Sequence, residues 1–281
     1  MLKHMKKFHL HSEYMYHMSN NPALPNVSIC TDEYNDYDDE IGHIHYNDKY
    51  TIPFNTIKYY APSMISKLDD GEMFGDGLHV ISHEQIGPNT YRIKFDGPVT
   101  RIGRDDPYED GPFAYSDLLN IVYPDTVESI GVYAFTGCNI QDFYITENIH
   151  SIGFAAFCEC PNLSWIYIPE NVWSISGGIF SNCTNLWDAE IRNDAISGGE
   201  FSGCENLENV FIGRDVYRIE ADAFLGCENL TSITYDGTME EWCNVSRVTS
   251  DSSLWHRGVP TDTVHCIDGD IWIDATSTEP Q

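Results

Sequence analysis

The stretch Ala156-Phe157-Cys158-Glu159-Cys160-Pro161-Asn162-Leu163-Ser164-Trp165-Ile166-Tyr167-Ile168-Pro169-Glu170-Asn171-Val172-Trp173-Ser174-Ile175 decides the fold. Its phenylalanine recurs as Phe113, Phe135, Phe157, Phe180, Phe201 and Phe224, with gaps of 22, 22, 23, 21 and 23 residues by subtraction. A fixed period in the twenties means that one small supersecondary unit is copied. No copy can bury its apolar side alone, so each must stack on the next.

Aligned on the phenylalanines, other columns agree. Ser116, Cys138, Cys160, Cys183, Cys204 and Cys227 form one, and Leu118, Ile140, Leu163, Leu186, Leu207 and Leu230 another. Then follow pairs two residues apart: Ile121 with Tyr123, Phe143 with Ile145, Ile166 with Ile168, Ala189 with Ile191, Val210 with Ile212, and Ile233 with Tyr235. Period two predicts a strand with these residues facing inward. The cysteine column reads as small buried side chains at an inner turn, although stacked thiols about 4.8 Å apart along a parallel sheet are within disulfide reach. Cys158 and Cys160 are too close and too isolated for a four-ligand zinc site.

The unit AF-xx-C-xx-L-xx-I-x-IP-xx-V-xx-I, carried by Ala156-Phe157, Cys160, Leu163, Ile166, Ile168-Pro169, Val172 and Ile175, resembles the BspA-like leucine-rich repeats. Tyr235, Gly237-Thr238, Glu241-Trp242 and Val264 to Gly269 resemble the closing cap of such arrays, so the likeness spans about Ile93 to Ile273. It implies an α/β leucine-rich-repeat solenoid, mainly β, with parallel short strands on one face and tight turns or short helices on the other. Two copies depart from the pattern. Asp142 to Ile145 follow a shortened Cys138-Asn139-Ile140 step, and Ala195-Ile196 compresses the fourth turn by two residues.

Four segments are expected. Residues 1–50 form a polar arm, rich in His, Tyr, Asn and Asp, which holds too little apolar surface for a core. Residues 51–98 form a β-rich N-terminal cap in which Tyr91, Ile93 and Phe95 share a face; 99–236 form the solenoid; 237–281 form the C-terminal cap and tail. Within the last, Thr238 and Glu241 have capping-box spacing for a short helix, Trp242 closes the final coil, and Val264 to Ile273 make a strand pair around Asp268-Gly269. The insertion Arg104 to Pro112 is loaded with carboxylates and turn residues.

Composition narrows the function. The net charge of -29, from 44 acidic and 15 basic residues, excludes nucleic acid or an anionic membrane as the main partner. No apolar run reaches the roughly 20 residues of a membrane helix, and Met1 to Ser12 show no export signal. The pairs His9/His11 and His43/His45, and the acidic runs at 32–40 and 105–110, are read as solvated rather than metal-binding. No metal or other cofactor is expected. No GxSxG, HExxH, phosphate-binding loop or dinucleotide fingerprint stands in its required context, so no enzymatic activity is expected.

The residue between the two buried positions of each strand must point outward. This yields Val122, Tyr144, Tyr167, Glu190, Phe211 and Thr234, beside a second column Asn120, Asp142, Trp165, Asp188, Asn209 and Ser232. Rings beside carboxylates and amides suit a sugar or a protein edge. Tyr144, Trp165, Tyr167, Trp187, Glu190 and Phe211 are the candidate binding residues. The leader, with Leu24-Pro25-Asn26-Val27-Ser28 and His45-Tyr46-Asn47, resembles the start of repeat proteins of gut Bacteroidales and their crAss-like tailed phages. That resemblance implies binding, adhesion or virion structure; with no export signal, an arm unable to fold alone and a rigid presenting scaffold, the expectation is a virion protein docked through its arm, meeting other virion proteins or a host-surface protein or glycan, as a monomer or a homo-oligomer. The alternative is a bacterial cell-surface adhesin.

Overall fold

The structure, a computed structural model, describes residues 52–69, 71–247 and 263–272. The arm, its histidine pairs, the acidic run at 32–40 and the last residues of the tail lie outside the described residues. All that is described belongs to one compact unit beginning at Thr51.

The first strands are β1 (Thr56–Tyr60), β2 (Val80–Gly87) and β3 (Thr90–Phe95). Two alternating series follow: β4 (Arg101–Ile102), β5 (Asn120–Val122), β6 (Ser129–Ile130), β7 (Ser151–Ile152), β8 (Trp165–Ile168), β9 (Ser174–Ile175), β10 (Asp188–Ile191), β11 (Ala195–Ile196), β12 (Asn209–Ile212), β13 (Arg218–Ile219) and β14 (Ser232–Tyr235). Helix α1 (Met239–Asn244), β15 (Ser246–Arg247), β16 (Thr263–Cys266) and β17 (Gly269–Trp272) complete the order.

Each coil except the one through Asp142 to Ile145 therefore carries a longer strand, a corner, a two-residue strand and a tight turn. The longer strands from β8 to β14 pair in parallel with no register shift, and β16 and β17 extend that sheet to six strands in the order β17-β16-β14-β12-β10-β8. The two-residue strands add a second set of parallel ladders, β4-β6-β7-β9 and β11-β13-β15, beyond the one strand per coil that period two had pointed to. The third side holds no helix among the described residues, only turns.

The core is one continuous ladder. All six phenylalanines are fully buried. Successive rings lie 5.3, 4.9, 5.6, 5.5 and 5.4 Å apart and nearly parallel, so each coil supplies the floor of the next. The cap continues it. Ile57, Tyr59, Tyr91, Ile93 and Phe95 are buried, and the Tyr59 and Phe74 rings meet Phe113 edge-on. Antiparallel pairing of β1 with β5 bonds the cap to the first coil. At the other end Thr238 and Glu241 make the expected capping box, and the buried Trp242 ring packs 5.2 Å from Tyr235.

Two polar columns link the coils. Cys160, Cys183, Cys204 and Cys227 are buried free thiols, each donating to the carbonyl of Phe135, Phe157, Phe180 or Phe201 in the coil before, at 3.0–3.1 Å. The thiol thus satisfies a buried acceptor as well as filling space. Asparagines just before the leucine column do similar work outside: the Asn206 amide donates to the Thr184 carbonyl at 2.7 Å.

The two irregular copies behave differently. Asp142 to Ile145 form no strand, because the step from Phe135 to Phe143 is one residue shorter than that from Phe157 to Ile166. Phe143 and Ile145 stay buried all the same. In the compressed coil, three residues connect β10 to β11, where five connect β8 to β9 and β12 to β13. The ladder between β9 and β11 is missing, and the Ser197 hydroxyl donates to the Ile175 carbonyl at 3.2 Å in its place.

Candidate functional site

Parallel pairing sets the outer face of the six-stranded sheet. Register places Tyr167, Glu190, Phe211 and Thr234 side by side in one column, with Trp165, Asp188, Asn209 and Ser232 in the next. The alternation that buries Ile166, Ile168, Ala189, Ile191, Val210 and Ile212 therefore leaves a mixed stripe of rings and carboxylates on the other side. Trp165, Tyr167, Glu190 and Phe211 are all half-buried there.

The polar groups of this face hold one another in place. The Trp165 indole N–H donates to Asp142 Oδ1 at 3.3 Å. Arg192 forms an ion pair with Glu190 and lays its guanidinium 4.9 Å from the centre of the Phe211 ring. Burial pushes the Tyr167 phenol up to about 12, with the neighbouring Glu190 carboxylate adding to it. Burial, then Glu147, also raises Tyr144. Both phenols stay protonated at neutral pH and present hydroxyls rather than charges.

The six candidate residues do not all share one column. Tyr144 is half-buried but belongs to the coil that forms no strand; its carbonyl accepts from the Tyr123 hydroxyl. Trp187 precedes β10 and sits at the rim in a column with Ser164 and Glu208, its N–H bonded to the Ser164 carbonyl at 3.0 Å. Arg192 was not among the candidates although it belongs with them. It has the same parity as Glu190, two residues on, so the period-two reading carried one position further finds it.

The face presents rings, hydroxyls and an ion pair. The thiols with resolved shifts are all raised, Cys158 and Cys266 to about 11 and Cys227 to about 12 by burial, and Cys160 by its hydrogen bonds with the Cys138 and Cys183 thiols and then by burial, opposite to what a thiolate nucleophile needs. Among the described residues no three His, Cys, Asp or Glu side chains group as a metal site, and no helix is long and apolar enough to cross a membrane. The acidic insertion folds on itself: Arg104 pairs with Glu109 at 3.2 Å, and the Tyr108 N–H donates to Asp106.

A family model described as a BspA type leucine rich repeat region matches the chain in six copies, over residues 108–231 and 194–244. Among solved structures the chain is similar to a leucine-rich repeat protein from Eubacterium ventriosum, at 25% identity over 50% of this chain and 40% of that one, with a TM-score of 0.38. It is also similar to a leucine rich cell surface protein from Faecalibacterium prausnitzii, at 24% identity over 53% and 60% of the two chains and a TM-score of 0.24. A leucine-rich repeat protein from Bacteroides ovatus is 19% identical over 66% and 61%, with a TM-score of 0.34. This chain spans less than two thirds of each of those proteins. Among curated proteins none matches it significantly. The repeating coils, the buried phenylalanine ladder and the six matched copies agree: residues 108–244 match the BspA-type leucine-rich repeat family.

Proposed function

We propose that the chain is a non-enzymatic binding protein whose partner lies against the outer face of the six-stranded sheet. One observation carries this reading: Trp165, Tyr167, Glu190, Arg192 and Phe211 stand on a face that parallel register makes flat and continuous. Half-exposed rings backed by a rigid ladder offer contact area without a large ordering cost. The partner is a protein edge or a glycan.

The setting we propose is a tailed-phage virion, in which the arm docks on the particle and the solenoid meets another virion protein or the host surface. It rests on the resemblance of the leader at 24–28 and 45–47. Replacing Trp165 and Tyr167 together by Ala should weaken attachment of the purified protein to host cells or particles by about tenfold or more, with the unfolding midpoint little changed. Equal attachment by wild type and double variant discards this face. Mass spectrometry of purified particles tests the setting separately; recovery only from the bacterial envelope would establish an adhesin instead.

A further inference from the structure

The corner between β10 and β11 is the shortest in the solenoid, two residues shorter than the corners beside it. Arg192, Asn193 and Asp194 span it, whereas Pro169 to Trp173 and Gly213 to Tyr217 span the corners on either side. The missing pair corresponds to Glu170-Asn171 in one neighbour and Arg214-Asp215 in the other. A notch remains where their tips would stand.

Its lining is distinctive. Trp173, Asp194 and Tyr217 each immediately precede the two-residue strand of their coil, and the Tyr217 N–H donates to the Asp194 carbonyl at 2.9 Å. Trp173 and Tyr217 are 65% and 57% exposed, unusual for large rings, and Asp194 between them is exposed. His150 stacks on Trp173 at 4.1 Å and 16°, fixing its ring from the side away from the notch. The coils that carry Trp173, Asp194 and Tyr217 are spaced 5.6 and 5.5 Å at their phenylalanine rings, and that spacing puts a group midway between the two outer coils within the roughly 6 Å reach of a cation–π contact from each.

Charge selects the occupant. Arg192, Arg214 and Arg218, the nearby cations, are engaged by Glu190, Asp236 and Glu220. Glu170, Asp194 and Asp215 are exposed and have no ion pair among the described residues. At the floor of the same corner Asn193 is 1% exposed and takes a place that Val127, Ile149, Val172 and Val216 hold in other coils. Its amide donates to the Ala195 carbonyl at 2.6 Å, while its Oδ1 accepts no hydrogen bond.

We propose that this notch is a slot for a cationic side chain of a protein partner, an arginine or lysine held between the Trp173 and Tyr217 rings over the Asp194 carboxylate. The slot lies away from the sheet face described above and does not depend on that reading. The test is fluorine NMR of the full chain carrying 5-fluorotryptophan, with Trp173→Phe identifying the resonance. The probes are the peptide acetyl-Gly-Gly-Arg-Gly-Gly-amide, the same peptide with Gln for Arg, and triacetylchitotriose. The arginine peptide should shift the Trp173 resonance saturably and the other two should not. Asp194→Asn should weaken that binding about tenfold, and Glu205→Gln, an equal charge change at a distant exposed site, less than about twofold. No saturable shift, equal weakening by the two variants, or an equal response to the glutamine peptide or the sugar would overturn the proposal.

Discussion

The coil from Phe157 to Ile179 and the coil from Phe180 to Glu200 share a ladder and differ at their perimeter. The first matches the repeat at every apolar column. The second is two residues shorter, carries Asn193 in a valine column, and places Glu200 where Ala134, Ala156, Ile179 and Ala223 stand elsewhere. Yet the ring spacing across the two coils barely changes, at 5.6 and 5.5 Å. The lesson concerns where a solenoid is strict. Its axis must repeat, because every ring is the next one's floor, while corners facing water can lose residues and be given to other uses.

If the axis is uniform, Phe157→Ala and Phe180→Ala should each cost about 3–5 kcal/mol in urea unfolding, through equal cavities. A much smaller loss at Phe180 would show that the edited coil is loose at its centre as well, and would break the comparison.

Glu200 sharpens it. Burial pushes this carboxyl up to about 8, with the Glu220 carboxylate adding to the rise and the Ser197 N–H, which donates to it at 2.7 Å, opposing it. The folded chain therefore holds this proton more tightly than the unfolded chain, whose value is near 4.5. The associated stability is complete below about pH 4.5 and is lost as pH rises through about 8. Urea midpoints of the wild type should fall over that window by the equivalent of a few kcal/mol relative to Glu200→Gln. Parallel profiles for the two proteins would mean that the carboxyl is not confined.

The smallest effect lies in the turns. Residues two after each phenylalanine have left-handed backbones, occupied by Gly137, Gly203 and Gly226 but by Tyr115 in the first coil at φ 55°, and by Glu159 in the regular coil and Asn182 in the short one, both at φ 59°. A glutamate loses roughly 1 kcal/mol there, and asparagine less. Glu159→Gly should raise the thermal midpoint by the equivalent of about 1 kcal/mol, and Asn182→Gly by only a few tenths. Equal gains would show that backbone strain does not separate the coils.

Spacing alone exposed the phenylalanine ladder, the inward strand pairs, the capping box at Thr238 and Glu241, and both irregular copies. It also found the outward stripe from Trp165 to Phe211. The side-chain partners were beyond it: on that stripe Arg192 folding back over Phe211 and Asp142 accepting from Trp165, and in the core the thiols bonding the phenylalanine carbonyls of the preceding coil. The second ladder escaped as well, since two-residue strands are too short to show a period.

Apolar recurrence is a local, translational property, so the chain by itself determined that coils stack, which side chains lie inside, and where two coils break the rule. Only the tertiary structure decided what the polar groups that reach across coils meet, because such a neighbour lies about twenty residues away in sequence and the match depends on register, corner length and side-chain reach. That is why the ladder could be read from one dimension, while the buried Glu200 and the notch between Trp173 and Tyr217 needed three.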